Sequence, residues 1–517
     1  MELYTMGEKV MQKKVVVVGG GSAGWLTALM AKKSSPDIDV TVIESEEIGI
    51  LGAGESSVPA LIQFFRHLGI SVPDLVKNCD ATIKNAIKFT NWNNDNDFYY
   101  HGFLPTEEAL GPYAIPFKFL STSPMQVSSL VINNGLKEIE FSENISEQNK
   151  VPFIFKSKQG KNPMLDYENI GTFSLHINAT KLANRLKEIG IDRGISVIEG
   201  IVKEVSLDSN NYVDGLILEN GSMVSCDFVF DCSGFHRLII GKIFKSKWKS
   251  YKEFLPSDSA IPFFIDMTEE IPPYTECIAM KYGWMWKIPL QSRFGCGYVY
   301  DSSLISEKEA IEEVEEFLGF EPHYPRKEKG GFSFNAGSYE EPWINNCVAI
   351  GLAANFIEPL EATSLWTSTS SLIEVFANPN WISNNSKEVR DEFNKFIVSL
   401  NEEIVTLLYL HYMSLRKDTD FWKKFSYEGA PEQLKQRLEM WKVRLPNKND
   451  VSKLWAVDSW ITIASAQNTM NKSLAKSYLE YSEEYQKGID TYDHFINYQN
   501  YKISQCLGHR EFLESLK

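Results

Sequence analysis

The sequence predicts an α/β fold: a parallel nucleotide-binding sheet, an inserted antiparallel sheet and a mostly helical C-terminal region. Three observations predict it. Near the start, a β-branched run leads through a glycine-rich turn into an apolar-periodic helix. Strand-like alternation fills the stretch from about 251 to 300, and beyond about 380 the periodicity turns helical.

The first element is the run Lys14 to Val18, suited to a buried parallel strand. Gly19-Gly20-Gly21-Ser22-Ala23-Gly24 follows and opens the helix Trp25 to Met30. A second strand, Val40 to Ile43, ends at Glu44, about 20 residues past the last glycine, as in the Rossmann-like dinucleotide fingerprint. Gly19, Gly21 and Gly24 allow a tight turn and close backbone approach. Ser22 and Ala23 begin the helix whose N-terminus takes a pyrophosphate. Glu44 can accept from ribose hydroxyls. The pattern does not separate FAD from NAD.

Gly52-Ala53-Gly54-Glu55-Ser56-Ser57-Val58-Pro59 suits a loop running into a helix, with Pro59 in the first turn. From Ile83 to Phe89 the residues alternate, with Lys84 and Lys88 on one face; two such lysines are ordinarily solvated. Tyr99-Tyr100-His101-Gly102-Phe103 is aromatic-rich and by itself reads as core. A helix is expected from Ala179 to Ile189, then short strands Ser196–Glu199, Val202–Leu207, Gly215–Glu219 and Met223–Phe230, with Asn220-Gly221 as a hairpin turn. Asp231-Cys232-Ser233-Gly234 closes the last strand in a loop suited to a cofactor. This order resembles the glutathione-reductase-like FAD fold, in which Val202 sits near the adenine.

In the second sheet, Gly283-Trp284-Met285-Trp286-Lys287-Ile288-Pro289 places two indoles on one side of a strand that Pro289 ends. Taken alone, W-x-W is more often core than site. Glu307 to Leu318 reads as an acidic amphipathic helix. Cys347 to Ala354 is a further strand-to-glycine turn that includes Leu352. It continues into Asn355-Phe356-Ile357-Glu358-Pro359-Leu360-Glu361-Ala362-Thr363-Ser364-Leu365-Trp366.

Composition bounds the partners. The 517 residues are 43% hydrophobic, enough for a large core, and the net charge of −16 argues against nucleic acid or an anionic membrane. No apolar run is long enough to cross a bilayer, and the first residues carry no apolar signal segment. The seven cysteines show no C-x-x-C spacing and the eight histidines no H-x-x-x-H, so neither disulfides nor a metal site is expected, and the location expected is cytoplasmic.

Five strings together resemble the flavin-dependent halogenases, the tryptophan halogenase family. They are G-x-G-x-x-G, G-x-G-E-x-x-x-P, the lysine segment Cys79 to Trp92, W-x-W-x-I-P and E-P-L-E with its continuation. The resemblance implies FAD as cofactor, reduced to FADH2 by a separate NAD(P)H-dependent flavin reductase. Oxygen and a halide ion (chloride, bromide or iodide) then give hypohalous acid, which a lysine directs onto an electron-rich aromatic substrate, indole- or phenol-like. It implies Lys84 and Glu361 as catalytic, and Glu55, Leu352 and Leu365 beside Gly19, Gly21, Ser22, Ala23, Gly24, Glu44 and Val202 at the cofactor. Thr363 and Ser364 hold halide through backbone N–H groups. Trp284 and Trp286 shield the flavin, and His101, Phe103 and Trp455 lie on the substrate side.

The family usually reads E-P-L-E-S-T-G, and this chain has Ala362 and Ser364 where that string has Ser and Gly. Ser364 adds a Cβ and restricts positive φ, so a halide pocket of different shape, favouring heavier halides, is expected. Competing readings are a single-component flavin monooxygenase, which has no need of Lys84, and a non-catalytic flavoprotein. The expected division is a core at 1–375, with the second sheet inserted at approximately 251–340, and a helical region at 376–517 packed on it. Nothing in the sequence forbids a homo-oligomer.

Overall fold

The computed structural model describes residues 12–47, 54–103, 141–158, 162–325, 330–378, 380–383, 386–450, 454–480, 494 and 496–517. Gly52 and Ala53 of the second glycine string lie outside the described residues.

A six-stranded sheet forms the nucleotide-binding layer. Its order is Ser196–Glu199, Asp39–Glu44, Lys14–Val18, Phe228–Asp231, Cys347–Ala349 and Trp343–Ile344, and only the last strand is antiparallel. Alternation sorts its side chains. Val15, Val17, Val40 and Val42 face the helices Ser22–Ser34, Ala179–Asp192 and Thr363–Phe376 through Leu26, Leu182 and Leu372. Val16, Val18 and Ile43 face the other way, onto Val213, Leu216 and Leu218. Those belong to a three-stranded meander, Val202–Leu207, Val213–Leu218 and Met223–Ser225, turned at Gly221 with φ 84°. The expected single strand Met223–Phe230 is two. The chain leaves the meander at Cys226, and Asp227 accepts from the Lys14 backbone N–H as Phe228–Asp231 enters the parallel sheet.

The seven-stranded second sheet runs Phe332–Ser333, Ser259–Asp266, Arg293–Tyr300, Gly283–Pro289, Tyr274–Ala279, Ala86–Thr90 and Phe98–Gly102. Its single parallel pairing joins Tyr274–Ala279 to Ala86–Thr90. One face, with Ile261, Met285 and Tyr298, is covered by the helix Glu307–Leu318 through Ala310 and Val314. Ser306 and Glu309 close a capping box at the start of that helix. The other face, with Phe89, Cys277, Trp284 and Val299, packs on Lys387–Tyr412, Glu432–Val443 and Val457–Ala466.

A small third sheet ties the two large ones together. Ser174–Ile177 pairs antiparallel with Glu55–Ser56 on one side and with Thr82–Lys84 on the other. The last helix, His509–Ser515, returns to the first core, where Phe512 stacks on Phe153 at 4.2 Å. All seven cysteines are free and buried. Among the described residues no helix is long and apolar enough to cross a membrane.

Candidate active site

The glycine-rich turn opens onto a cavity of about 760 Å³. Gly19, Gly21, Ser22, Ala23, Gly24, Glu44, Glu55, Val202, Leu352 and Leu365 all line it. Gly19 has φ 118°, and a Cβ there would fall 2.2 Å from the Cys232 carbonyl oxygen, so only glycine fits. Gly21 caps the helix without a side-chain hydrogen bond, which leaves the first-turn N–H groups free of a side-chain cap. Glu44 accepts from Trp25 Nε1 at 3.1 Å and pairs with Lys187, with lone pairs to spare for hydroxyls. Burial pushes the Glu55 carboxyl up to about 7. Size, anion-binding helix start and ribose acceptor together fit FAD.

Lys84 lies elsewhere, outside that cavity lining. The alternation that sets Lys84 and Lys88 on one strand face breaks at Asn85. Its N–H donates to Pro273 O at 2.7 Å, and the chain changes sheets there. Lys88 stays half-buried in the second sheet, with Glu147 at 2.7 Å and the Phe98 ring at 4.1 Å. Lys84 instead turns fully inward, at 0% exposure. Among the described residues, its Nζ makes a single hydrogen bond, 3.0 Å to Ser57 O, and lies 5.6 Å from the Phe103 ring centroid. Burial lowers its pKa to about 8, with Glu361 pulling the other way. Two of three ammonium protons therefore stay available.

Glu361 is buried at 4% exposure. His101 Nδ1 lies 2.8 and 2.9 Å from its two oxygens, and His411 Nε2 lies 3.0 Å from Oε1. Burial alone would raise this carboxyl, but the two imidazoles outweigh it and hold Glu361 well below the usual carboxylate range. Gln467 Nε2 donates to Tyr99 OH at 3.0 Å, and Tyr99 OH sits 2.8 Å from His411 Nδ1. Gln467, Tyr99 and His411 thus form a buried chain that ends beside Glu361. Phe89 stacks on His411 at 4.4 Å. The ligand atoms of His101, Glu361 and His411 lie within 4.8 Å of one another, a set able to hold a cation; among these contacts only the one between His101 and Glu361 has hydrogen-bond geometry.

Glu361 and Ala362 both have positive φ, 65° and 56°, and deliver the chain into the helix Thr363–Phe376. The strain expected at Ser364 is therefore absent: positive φ falls two and three residues earlier, and Ser364 is ordinary helix. Thr363 is buried at the helix start and Ser364 lines the large cavity. No side chain caps this N-terminus, so its N–H groups are suited to an anion beside the cofactor space.

Trp284 and Trp286 share the face that packs on the C-terminal helices, their rings 6.3 Å apart. Trp284 is fully buried and Trp286 half-buried over Gly297, where a Cβ would fall 2.1 Å from the ring. Neither lines the cavity. Pro289 ends the strand, as expected, and its carbonyl accepts from Thr82 Oγ1 at 2.6 Å, tying this strand to the lysine strand. Trp455 packs half-buried against the same core.

Known proteins carry this arrangement. The family model for tryptophan halogenases matches residues 14–482. The chain belongs to that family. It is 31% identical over 462 residues to tryptophan 6-halogenase SttH of Streptomyces toxytricini, covering 85% of each chain. It is 28% identical to tryptophan 7-halogenase RebH of Lentzea aerocolonigenes, covering 83% of this chain and 82% of that one. The SttH crystal structure superposes with a TM-score of 0.85 at 25% identity, covering 98% and 99% of the two chains. BrvH, a flavin-dependent halogenase from Brevundimonas, superposes with a TM-score of 0.80 at 25% identity, covering 98% of this chain and 99% of that one. This halogenase therefore uses FAD, a halide and a reductase-supplied electron pair.

The halogenase site also contains residues that no sequence pattern marks. Ser57 contributes only a carbonyl. His411 reaches Glu361, with Tyr99 and Gln467 behind it, because the helices Lys387–Tyr412 and Val457–Ala466 pack on the second sheet.

Proposed function

We propose that this halogenase carries hypohalous acid on Lys84 and delivers the halogen to an indole-like aromatic ring, with tryptophan the first candidate. One observation carries the reading: a fully buried ammonium, with a single hydrogen bond among the described residues, feels the charge of a buried carboxylate that His101 hydrogen-bonds. FAD, when bound, supplies the oxidation of halide by oxygen. Gly19, Gly21, Ser22, Ala23 and Gly24 receive its phosphates, Glu44 its ribose, and Glu55, Val202, Leu352 and Leu365 its remaining edges. Thr363 and Ser364 N–H groups hold the halide, and Trp284 and Trp286 keep organic molecules from the flavin side.

Lys84, mostly ammonium at pH 7, hydrogen-bonds the hypohalous oxygen and makes the halogen more electrophilic. The aromatic ring lies among His101, Phe103 and Trp455 and attacks the halogen. The C–X bond forms as the O–X bond breaks, and hydroxide leaves with a proton from Lys84 as water. Glu361 accepts the ring proton as aromaticity returns. Its low pKa suits it to being ionised and ready, and its two imidazoles keep it aimed. Lys84→Ala leaves flavin binding and peroxide release intact, so the monooxygenase reading predicts continued oxygen insertion in that variant, whereas this one predicts loss of product.

The test is incubation with FAD, an NADH-driven reductase, oxygen and tryptophan or simple indoles and phenols, read by mass spectrometry. A halogen mass shift that disappears in Lys84→Ala is expected; an oxygen shift retained in that variant would sink the reading. Bromide and iodide are easier to desolvate and oxidise, and we place them ahead of chloride. Equal-concentration competition checks this, and a clear preference for chloride would refute it. Dependence on an NAD(P)H-driven reductase fits a cytoplasmic setting.

A further inference from the structure

The Thr82–Lys84 strand is an edge strand. Ser174–Ile177 pairs with one side of it, so the outward N–H of Ile83 needs a partner from outside the sheet. That partner comes from the far end of the chain. His509 Nε2 accepts from the Ile83 N–H at 2.9 Å, across 426 positions of sequence. Its other ring nitrogen, Nδ1, donates to Ile271 O at 2.8 Å. A backbone N–H can only donate and a carbonyl can only accept, so the two contacts fix one neutral tautomer, with the proton on Nδ1. The ring is 1% exposed, and burial holds its pKa down at about 4.

The residue on the other side of Lys84 is tied to the same terminal segment. Asn85 Nδ2 donates to Lys150 O at 2.9 Å. Lys150 forms a bridge with Gly508, and the His509 N–H donates to Asn149 O at 3.1 Å. Asn85 N–H meanwhile donates to Pro273 O, two residues from the Ile271 carbonyl that His509 holds. Lys84 is thus held between two residues whose hydrogen bonds lead back to Gly508 and His509.

We infer that His509 is a positioning residue for Lys84, pinning the edge of its strand so that the ammonium meets both the hypohalous acid and the substrate ring. The inference rests on the assignment of Lys84 as the halogen-bearing residue. Halogen transfer needs Lys84 placed to a fraction of an ångström, whereas the cofactor cavity, whose lining does not include Lys84, does not. Loss of the clip therefore separates two quantities that the intact protein keeps coupled: flavin turnover and halogenated product.

The test uses the full-length protein with FAD, reductase, halide and tryptophan. In His509→Leu, FAD affinity and NADH-driven oxygen consumption stay at the parent level, while product per NADH falls about tenfold, a part of the ~100-fold loss that a full ångström of misplacement can cause. Lys84 faces Glu361, Cys277 and His176, and once unpinned toward water its alkaline limb moves up from about pH 8. His509→Gln, which keeps an acceptor and a donor, recovers most of the coupling. A folded His509→Leu with parent coupling and an unmoved limb overturns the inference. Should that variant not fold, His509→Asn, polar but too short to reach both the Ile83 N–H and the Ile271 carbonyl, is read the same way. Lys84→Ala is run alongside. Halogenation surviving there overturns the role of Lys84, whereas halogenation lost there but parent-like in the His509 variants overturns only the clip.

Discussion

Lys84 is the residue at which function and stability oppose each other. Its pKa falls from 10.5 to about 8 because burial disfavours the charge. At pH 7 the folded protein therefore carries a buried ammonium at a cost of about 3 kcal/mol. The sign follows from proton counts. Below about pH 8 both states hold the proton and the cost is present in full; between about 8 and 10.5 only the unfolded state holds it, and the cost shrinks as pH rises. Lys84→Met removes the charge and keeps the volume. We expect its thermal midpoint to rise at pH 7 while halogenation disappears; a lowered midpoint would show that the ammonium stabilises the fold. In the parent enzyme, product formation should decline as pH passes 8, and a rate that climbs there would assign the work to the neutral amine. None of this burial is legible in the string around Lys84, because alternation gives Lys84 and Lys88 the same face. Only the family resemblance distinguishes them.

Among elements, the small sheet of Glu55–Ser56, Ser174–Ile177 and Thr82–Lys84 connects the cofactor cavity to the lysine. Its hydroxyls reinforce it. Ser57 Oγ and Ser174 Oγ are 2.6 Å apart, and His176 bridges Thr82 and Thr275 at 3.0 and 2.9 Å. Strands of two, three and four residues give no periodic signal, so this sheet is invisible in sequence, whereas Lys14–Val18, its glycine turn and Glu307–Leu318 are plain. The turn into the helix Thr363–Phe376 makes a further prediction. Ala362 has φ 56°, a region that costs an alanine about 1 kcal/mol. Ala362→Gly should raise stability by about 0.5–1 kcal/mol in denaturant melts. A loss of that size would mean that the Ala362 methyl packs more than its backbone strains.

For the whole molecule, the nucleotide layer was the most legible part. The residues expected at the cofactor line one cavity: Gly19 to Gly24 and Glu44 because a strand, a glycine turn and a helix dictate that local geometry, Glu55, Val202, Leu352 and Leu365 as the family resemblance implies. Assembly of Glu361 with His101, His411 and Tyr99 was not legible, since it depends on a helical layer meeting a sheet across 50 to 300 positions of chain. FAD should stabilise the intact fold by linkage: at about 100 times its Kd it adds about 2.7 kcal/mol. Glu44→Ala should reduce that shift in a thermal melt, and a variant stabilised as strongly as the parent would remove Glu44 from the ribose.

Lys84 and Glu361 stand apart from the cavity lining. A lineage can therefore alter what it decorates without relearning how to burn oxygen. On the proposed reading, changes among His101, Phe103, Trp455 and their neighbours would explore new acceptors and leave the glycine turn and its cavity untouched. For a designer this is a partition of the search. Libraries aimed at the acceptor side begin from a working supply of oxidant, and libraries aimed at the halide begin from a working acceptor. The two can be bred separately and recombined.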